Sequence, residues 1–521
     1  MEHNRVFQSV GIVIIGTLVS RLFGFLREVA IAYRFGATAV TDSYVVALTI
    51  PIVIFFAFNR AFQNSFIPVY GSSKHEKGIG SFTGTVTVLV ILVLSLVAAV
   101  VLLFTPQLIY LVAPGFQLEN LNLTVMLVRI MVPGVIFLGL GELASGYLHS
   151  HHSFFLPSIA TVPFNLCIIA TAFFWGESLG INGVAVGTVA GMLLQFIIQL
   201  PGLIKYRFPT VVSFNLTHPA VKKMLILFPP IILGSMAMQF KTIIDRIFAS
   251  FLAEGSISAL HFAYRLFQVP HGIFILSMIT VLYPSLVDYQ KDGNMKAFSG
   301  TLNKGLGIML FLALPMTAGF IVLSGPIVTL LFQRGAFDQA AANATSFALI
   351  FYSLGIIGLA LEQFLEKGFY ALQDAKTPMK VLILMAVVNA CLNALLMPLL
   401  GHGGIALATS LSTFVGAVVL LLKLSRVVKE FSISDFFKGI WKPLLSTLVM
   451  SGFVYFGYLF WESVYPSQNF MSLLLQVGIL ISFGIILYFL LAFLLRIEEM
   501  KLFFEFAAKI FRRFRPKHSD L

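Results

Sequence analysis

The sequence predicts an all-α polytopic membrane protein with about fourteen transmembrane helices and both termini in the cytoplasm. Three observations point there. Of 521 residues, 58% are hydrophobic and 11% charged, against about 25% charged in a soluble domain. The apolar residues gather into runs long enough to cross lipid. Lysine and arginine collect on one side of those runs. This composition excludes a soluble enzyme, a secreted disulfide scaffold and a disordered chain. The two cysteines, Cys167 and Cys391, sit inside apolar runs and read as packing residues.

The expected spans lie at about 8–34, 40–70, 83–111, 121–147, 154–174, 181–202, 224–250, 256–287, 305–330, 341–371, 381–398, 404–422, 443–460 and 470–495. The first is a retained span rather than a cleavable leader. Its apolar run from Val6 continues past Arg21 and Arg27, with no small-residue cleavage site. The runs are continuous, not alternating, so each is a helix and a barrel is excluded.

With the N-terminus inside, twenty-four lysines and arginines fall in cytoplasmic segments and one, Arg334, falls in an outer loop. That asymmetry fixes the orientation. It also removes a nucleic-acid reading of the +12 net charge, because the positives are spread over many short loops. The tail, 496–521, is basic and has helical apolar spacing at Ile497, Phe503, Phe504, Ala507, Ile510, Phe511 and Phe514. Two readings stand for it: an interfacial helix on anionic membrane lipids, or ordinary topology charge.

An internal repeat divides the chain. Phe35–Pro51 followed by Phe66–Gly78 resembles Phe251–Pro270 followed by Leu282–Gly293. Each opens a span, carries a proline partway, and ends in proline and a charged inner loop. These are the second and eighth spans, and an offset of six keeps the orientation. The expected organisation is therefore an N-terminal lobe over 1–210, a pseudo-symmetric second lobe over 211–430, two further spans over 431–495 and the tail.

Nine cations fall inside spans: Arg21, Arg27, Arg34, Arg60, Arg129, Lys241, Arg246, Arg265 and Lys367. Six acids accompany them: Glu28, Asp42, Glu142, Asp245, Glu362 and Glu366. Nine cations facing lipid would cost on the order of 25 kcal/mol, so these groups face protein, a wet cavity or an interface. A positive excess there suits an anionic cargo, above all phosphate, which arginine binds bidentately. Arg34 lies near a span end and can snorkel. Arg60 either snorkels or joins the site. Lys241 and Asp245 are spaced to neutralise each other, and Glu362 and Glu366 to repel unless Lys367 or a proton intervenes. Arg21 and Arg265 lie at middle depth, one in each lobe; Arg27 and Glu28 share the first span, and Glu28 is a candidate partner for Arg265 across the lobes. Their alternative role is a structural salt bridge.

A second constellation is Asp245, Asn389, Asn393, Thr409 and the carbonyl of Ile405, an oxygen set that suits Na⁺. Its alternative is helix–helix hydrogen bonding. His149, His151 and His152 cluster on an inner loop and read as solvated loop histidines rather than a metal site. Nucleotide, hydrolase and metalloprotease motifs are absent from the sequence, so no cofactor is expected.

Five blocks in order carry a family resemblance: Ser20–Ala47, Val112–Phe116, Asp245–Leu260, Leu323–Phe337 and Lys367–Lys380. They resemble the MurJ (MviN) lipid II flippases of the MOP exporter superfamily. The resemblance implies a transporter in the bacterial inner membrane that moves undecaprenyl-pyrophosphate-linked disaccharide-pentapeptide to the outer leaflet for cell wall synthesis. It implies two lobes around a cationic cavity and a lipid-tail groove on the last two spans. The buried positive charges themselves suggest alternating access, with the empty state reset by cation re-entry, such as Na⁺, or by membrane potential. Cell wall synthesis machinery is a further candidate partner. The family's functional positions fall on Arg21, Arg27, Glu28, Asp42 and Arg265. The chain departs from the family at Phe55, where a basic residue is common, and at Arg60, where an acid is. Those departures motivate a rival cargo, another polyprenyl-linked oligosaccharide. A cation-coupled drug exporter is a further rival, opposed by the positive excess. A membrane glycosyltransferase is opposed by the short outer loops.

Overall fold

The computed structural model describes residues 2–73, 78–209, 213–237, 239–465 and 469–505. Lys74, Lys77 and the tail positions Ala507, Ile510, Phe511 and Phe514 lie outside them. Thirteen helices among the described residues are long and apolar enough to cross a membrane. α1 (Glu2–Phe35) has 34 residues, ample for a span by length. The chain resolves into two compact units, Met1–Ser258 with Arg334–Phe337, and Ala259–Gln333 with Asp338–Leu521.

The first unit contains α1, α2 (Ala39–Ala61), α3 (Ile67–Ser73), α4 (Ile79–Leu103), α5 (Thr105–Val112), α6 (Leu118–Met131), α7 (Val135–Ser150), α8 (Phe155–Ile159), α9 (Thr161–Phe174), α10 (Gly180–Ile197), α11 (Leu200–Lys205), α12 (Pro219–Ala237) and α13 (Phe240–Ala249). α1 packs on α9, α2 on α6 and α12, and α7 on α4 and α10. α14 (Ser256–Pro270) starts in this unit and continues into the second. The second unit continues with α15 (Leu276–Lys291), α16 (Met295–Phe332), α17 (Gln339–Ala371), α18 (Lys376–Leu400), α19 (His402–Val427), α20 (Ile433–Val464) and α21 (Phe470–Leu494).

The two spans that resemble each other in sequence share an irregularity. α2 carries Pro51 and runs through a π-turn, Phe62–Phe66, into α3. α14 ends at Pro270 and runs through a π-turn, His271–Ile275, into α15. Each pair therefore makes one long span, Ala39–Ser73 and Ser256–Lys291, with a local bend where the regular ladder is interrupted. Proline explains another break: α6 passes to α7 through a 3₁₀ turn at Val132–Gly134.

Lipid gives helices no hydrophobic reason to associate, so close approach and polar contacts do the work. On α17, Gly355 and Gly358 let α19 come near: a Cβ at Gly355 would meet Ser410 Oγ at 2.6 Å and one at Gly358 would meet Thr413 Oγ1 at 2.7 Å. Side-chain caps satisfy helix starts. Asp338 accepts from Ala341 N (2.8 Å), and Asn469 accepts from Ser472 N (2.9 Å) in a capping box. Hydrogen bonding from the Thr377 hydroxyl, together with the amides of Thr377 and Lys376, holds the Asp374 carboxyl below the usual range.

α20 and α21 pack on α16 and on each other. Tyr488 donates to the Phe311 carbonyl at 2.7 Å. The outward faces, including Phe456, Phe460, Ile486 and Phe493, are exposed apolar surface for lipid. Beyond α21 the chain turns at Arg496 (φ 52°), and a helical stretch over 498–505 sets Phe503 and Phe504 against Phe489. Ile497 is buried at the turn.

Glu499 points at Gly307 of α16, where a Cβ would stand 2.6 Å from its Oε1. Burial pushes this carboxyl up, Glu498 adds to the effect, and Lys442 opposes it. A carboxyl raised in this way binds more protons folded than unfolded, so stability falls as pH climbs above its ordinary value. Glu499→Gln is therefore expected to raise the melting temperature at about pH 8 and leave it unchanged at about pH 4. A thermal-shift titration in detergent checks it; equal melting temperatures at the higher pH contradict it.

Candidate substrate site

α1 supplies the first group. At 1.5 Å per residue, Arg27 lies about 12 Å and Arg21 about 21 Å from the end of α1 at Phe35. Arg27 and Glu28 are buried, and Arg21 is exposed. Arg27 Nη2 donates to Glu28 Oε1 at 2.5 Å, and the guanidinium lies 5.7 Å from the Phe164 ring centroid on α9. Arg27 Nε is buried without a hydrogen-bond partner. A guanidinium has five N–H donors, so this one keeps donor capacity for an oxyanion. Ser20 donates to the Ser158 carbonyl at 2.7 Å, which fixes the rotation of α1 against α8.

Asp42 is committed to backbone. Its carboxylate accepts from Gly255 N at 2.7 Å and Ser258 N at 2.6 Å, and the Ser258 hydroxyl also donates to it. A carboxylate from α2 thus caps the first turn of α14, satisfying donors that a helix start leaves open. Gly255 makes the approach feasible: its φ is +84°, a region that suits glycine. The Arg246 guanidinium donates to the Ile257 carbonyl at 3.3 Å in the same turn.

The remaining positions are placed as follows. Arg60 is exposed, one residue after Asn59, whose amide donates to the buried Glu142 on α7. Phe55 lies earlier on α2 and packs edge-on to Phe56. Arg34, near the span end, donates to the exposed Glu177 at 2.9 Å. Arg129 is exposed on α6. Asp245, Lys241 and Arg246 are half-buried on α13.

In the second unit, Arg265 is half-buried on α14. The Tyr370 hydroxyl donates to Glu366, and Lys367 Nζ lies 5.8 Å from the Tyr283 ring and 5.2 Å from the Tyr370 ring. Asn389, Asn393 and Ile405 are fully buried. Asn393 Nδ2 donates to Asn389 Oδ1 and Asn389 Nδ2 donates to Thr409 Oγ1, both at 3.3 Å. Three of the five expected cation ligands are thus joined by hydrogen bonds across α18 and α19, and Asp245 belongs to the first unit.

Two features were not read as sites from sequence. His151 is packed rather than loose: its ring lies 4.4 Å from Tyr147, with Tyr70 and Tyr206 around it, and its Nδ1 is 2.9 Å from the Tyr147 carbonyl. The Glu142–Asn59 pair is the other. No sequence signal marks it, because the partners lie 83 positions apart.

A model of the family described as lipid II flippase MurJ matches residues 31–496, most of the chain. The chain belongs to this MurJ family. Its MurJ relatives include a probable lipid II flippase of Buchnera aphidicola subsp. Schizaphis graminum (strain Sg), 32% identical over 92% of this chain and 94% of that protein. The lipid II flippase of Burkholderia cenocepacia is 32% identical over 79% of this chain and 82% of its own length. A solved structure of lipid II flippase MurJ in an inward closed conformation matches with a TM-score of 0.79 at 27% identity, covering 93% of this chain and 98% of that one. An inward-facing multidrug MATE transporter of the MOP superfamily shares the fold, with a TM-score of 0.69 at 13% identity over 81% of this chain and 98% of that one. The many spanning helices and MurJ membership place the chain as a multi-pass protein of the bacterial inner membrane.

Proposed function

We propose that this chain is a transporter, not an enzyme, that flips lipid II from the cytoplasmic to the outer leaflet for cell wall synthesis. The observation that carries the reading is MurJ-family membership over residues 31–496. Relatives named lipid II flippases at about one-third identity over most of the chain support it. The substrate is a lipid-linked anionic glycan. Its diphosphate needs cationic donors out of bulk water, and Arg27 of α1 offers unused donor capacity beside a buried partner.

In the proposed mechanism Arg21, Arg27 and Arg265 bind the pyrophosphate and Glu28 holds Arg27 in place. Asp42 keeps the first turn of α14 formed. Arg60 contributes to the substrate surface in place of the basic residue absent at Phe55. The prenyl tail stays in lipid along α20 and α21. Binding removes like-charge repulsion and permits alternating access. The empty, positive state is reset by Na⁺ entry or by the membrane potential, worth about 2.3 kcal/mol per charge per 100 mV. Cell wall synthesis enzymes are the candidate consumers of the flipped product.

The test is complementation. The wild-type chain is expected to restore growth to a bacterium depleted of its lipid II flippase and to clear accumulated lipid II. Failure to do either, with the protein inserted, favours another polyprenyl-linked cargo.

The cation reading has its own expected outcome. Na⁺ held by Asn389, Asn393, Thr409, the Ile405 carbonyl and Asp245 stabilises the fold by mass action, about 2.7 kcal/mol at 100 times its Kd. The melting temperature should rise with Na⁺ at constant ionic strength and not with a bulky organic cation. Asn389→Ala should abolish the rise. Equal responses to both cations would overturn the reading.

A further inference from the structure

Glu142 belongs to none of the roles above. It lies on α7, eight residues or about 12 Å before the end of the span at Ser150, and it is 6% exposed. The Asn59 amide from α2 donates to its Oε2. Gln63 donates in turn to Asn59 Oδ1 at 3.1 Å, which fixes which way that amide faces.

The neighbouring polar groups are spent on one another. Gln199 Nε2 donates to the carbonyls of Gly141 and Gln195, each at 3.1 Å. Ser145 donates to Gln199 Oε1 at 2.9 Å. Among the described residues Glu142 makes no salt bridge.

Among the described residues, the charges packed around α7 do not supply a counter-ion. α4, α8, α10 and the Phe62–Phe66 turn contain no Asp, Glu, Lys, Arg, His or Tyr. α2 brings Asp42, Tyr44 and Arg60. Asp42 is bound to the start of α14, Tyr44 is held by Thr188, and Arg60 is exposed. α3 brings Tyr70, which packs on Tyr147 of α7, and α11 brings Lys205, which lies over the Tyr206 ring. α7 itself adds His149, packed on Phe154. A carboxylate buried at this depth with one neutral donor is poorly compensated, whereas the neutral acid is not.

We propose that Glu142 is a proton-binding site, a carboxyl that takes one proton from the cytoplasmic water and returns it there during transport. An O–H bond forms on the carboxylate as hydronium gives up a proton to become water, and the reverse step regenerates hydronium. Asn59 is the positioning residue. It sits three residues before the π-turn Phe62–Phe66, so bending there moves the amide relative to α7. The proposal rests on the flippase reading for its role in transport, but proton binding itself does not.

The experiment is an infrared pH titration of the purified chain in liposomes, paired with lipid II flipping at each pH. Wild type should show the C=O band of a protonated carboxylic acid that disappears as pH rises, and Glu142→Gln should lack that band. Gln keeps the shape and still accepts from Asn59. Asn59→Ala should hold the band to higher pH, since it removes the donor that favours the anion. Wild-type flipping should change with pH by up to about tenfold per unit through the titration, and Glu142→Gln flipping should be flat. A band that persists unchanged in Glu142→Gln, or a wild-type pH profile in that variant, overturns the proposal. Wild-type chains that show the band and flip nothing refute the function reading alone.

Discussion

The paired substitution Arg27→Ala with Glu28→Gln is expected to yield a folded, inserted chain that no longer restores growth to a flippase-depleted bacterium. The argument runs through the buried pair. Arg27 alone cannot be removed cleanly, because Glu28 is buried against it. Removing one member of a buried ion pair costs about 3–5 kcal/mol, so Arg27→Ala by itself loses protein as well as function. Neutralising both members removes that penalty and leaves the loss of substrate contact. One charge-assisted contact to a phosphate is worth about 2–3 kcal/mol, roughly 30- to 150-fold in affinity. Membrane yield and melting temperature near wild type, with growth lost, is the expected combination. Normal growth of the double variant would remove Arg27 from the substrate site.

Asp42→Ala is expected to be the most destabilising single change at the start of α14. It removes the acceptor for two backbone amides and a hydroxyl, all buried. Losing such a cap and stranding its donors costs about 2–4 kcal/mol. Asp42→Asn retains one acceptor oxygen and should lose about half as much. Thermal unfolding in detergent measures both. A melting temperature unmoved by Asp42→Ala would show that α14 does not depend on this carboxylate for its first turn.

Hydropathy made the helical class legible, because lipid forces every apolar run to satisfy its own backbone. The second and eighth spans could be matched from their prolines and following charged loops. The structure then breaks both with π-turns, a detail no periodicity encodes: one follows Pro270 directly and the other begins eleven residues after Pro51. Arg27 and Glu28 stood out because ionised groups at bilayer depth are costly. What that logic could not deliver was partnership. Asp42 binds amides 213 and 216 positions away, and Arg34 meets Glu177 at a separation of 143. Glu142 was visible only as one acid among six until Asn59 gave it a partner. His151 reads as part of a solvated cluster from sequence, since two of the tyrosines around it, Tyr70 and Tyr206, come from distant parts of the chain.

The most direct measurement is flipping by the chain alone. Purified protein in liposomes containing fluorescent lipid II is given a membrane potential, and inner-leaflet label is followed as it becomes accessible outside. The account predicts translocation well above protein-free liposomes, lost in the Arg27→Ala, Glu28→Gln double variant. Translocation no faster than in protein-free liposomes, from folded protein under that potential, would contradict it.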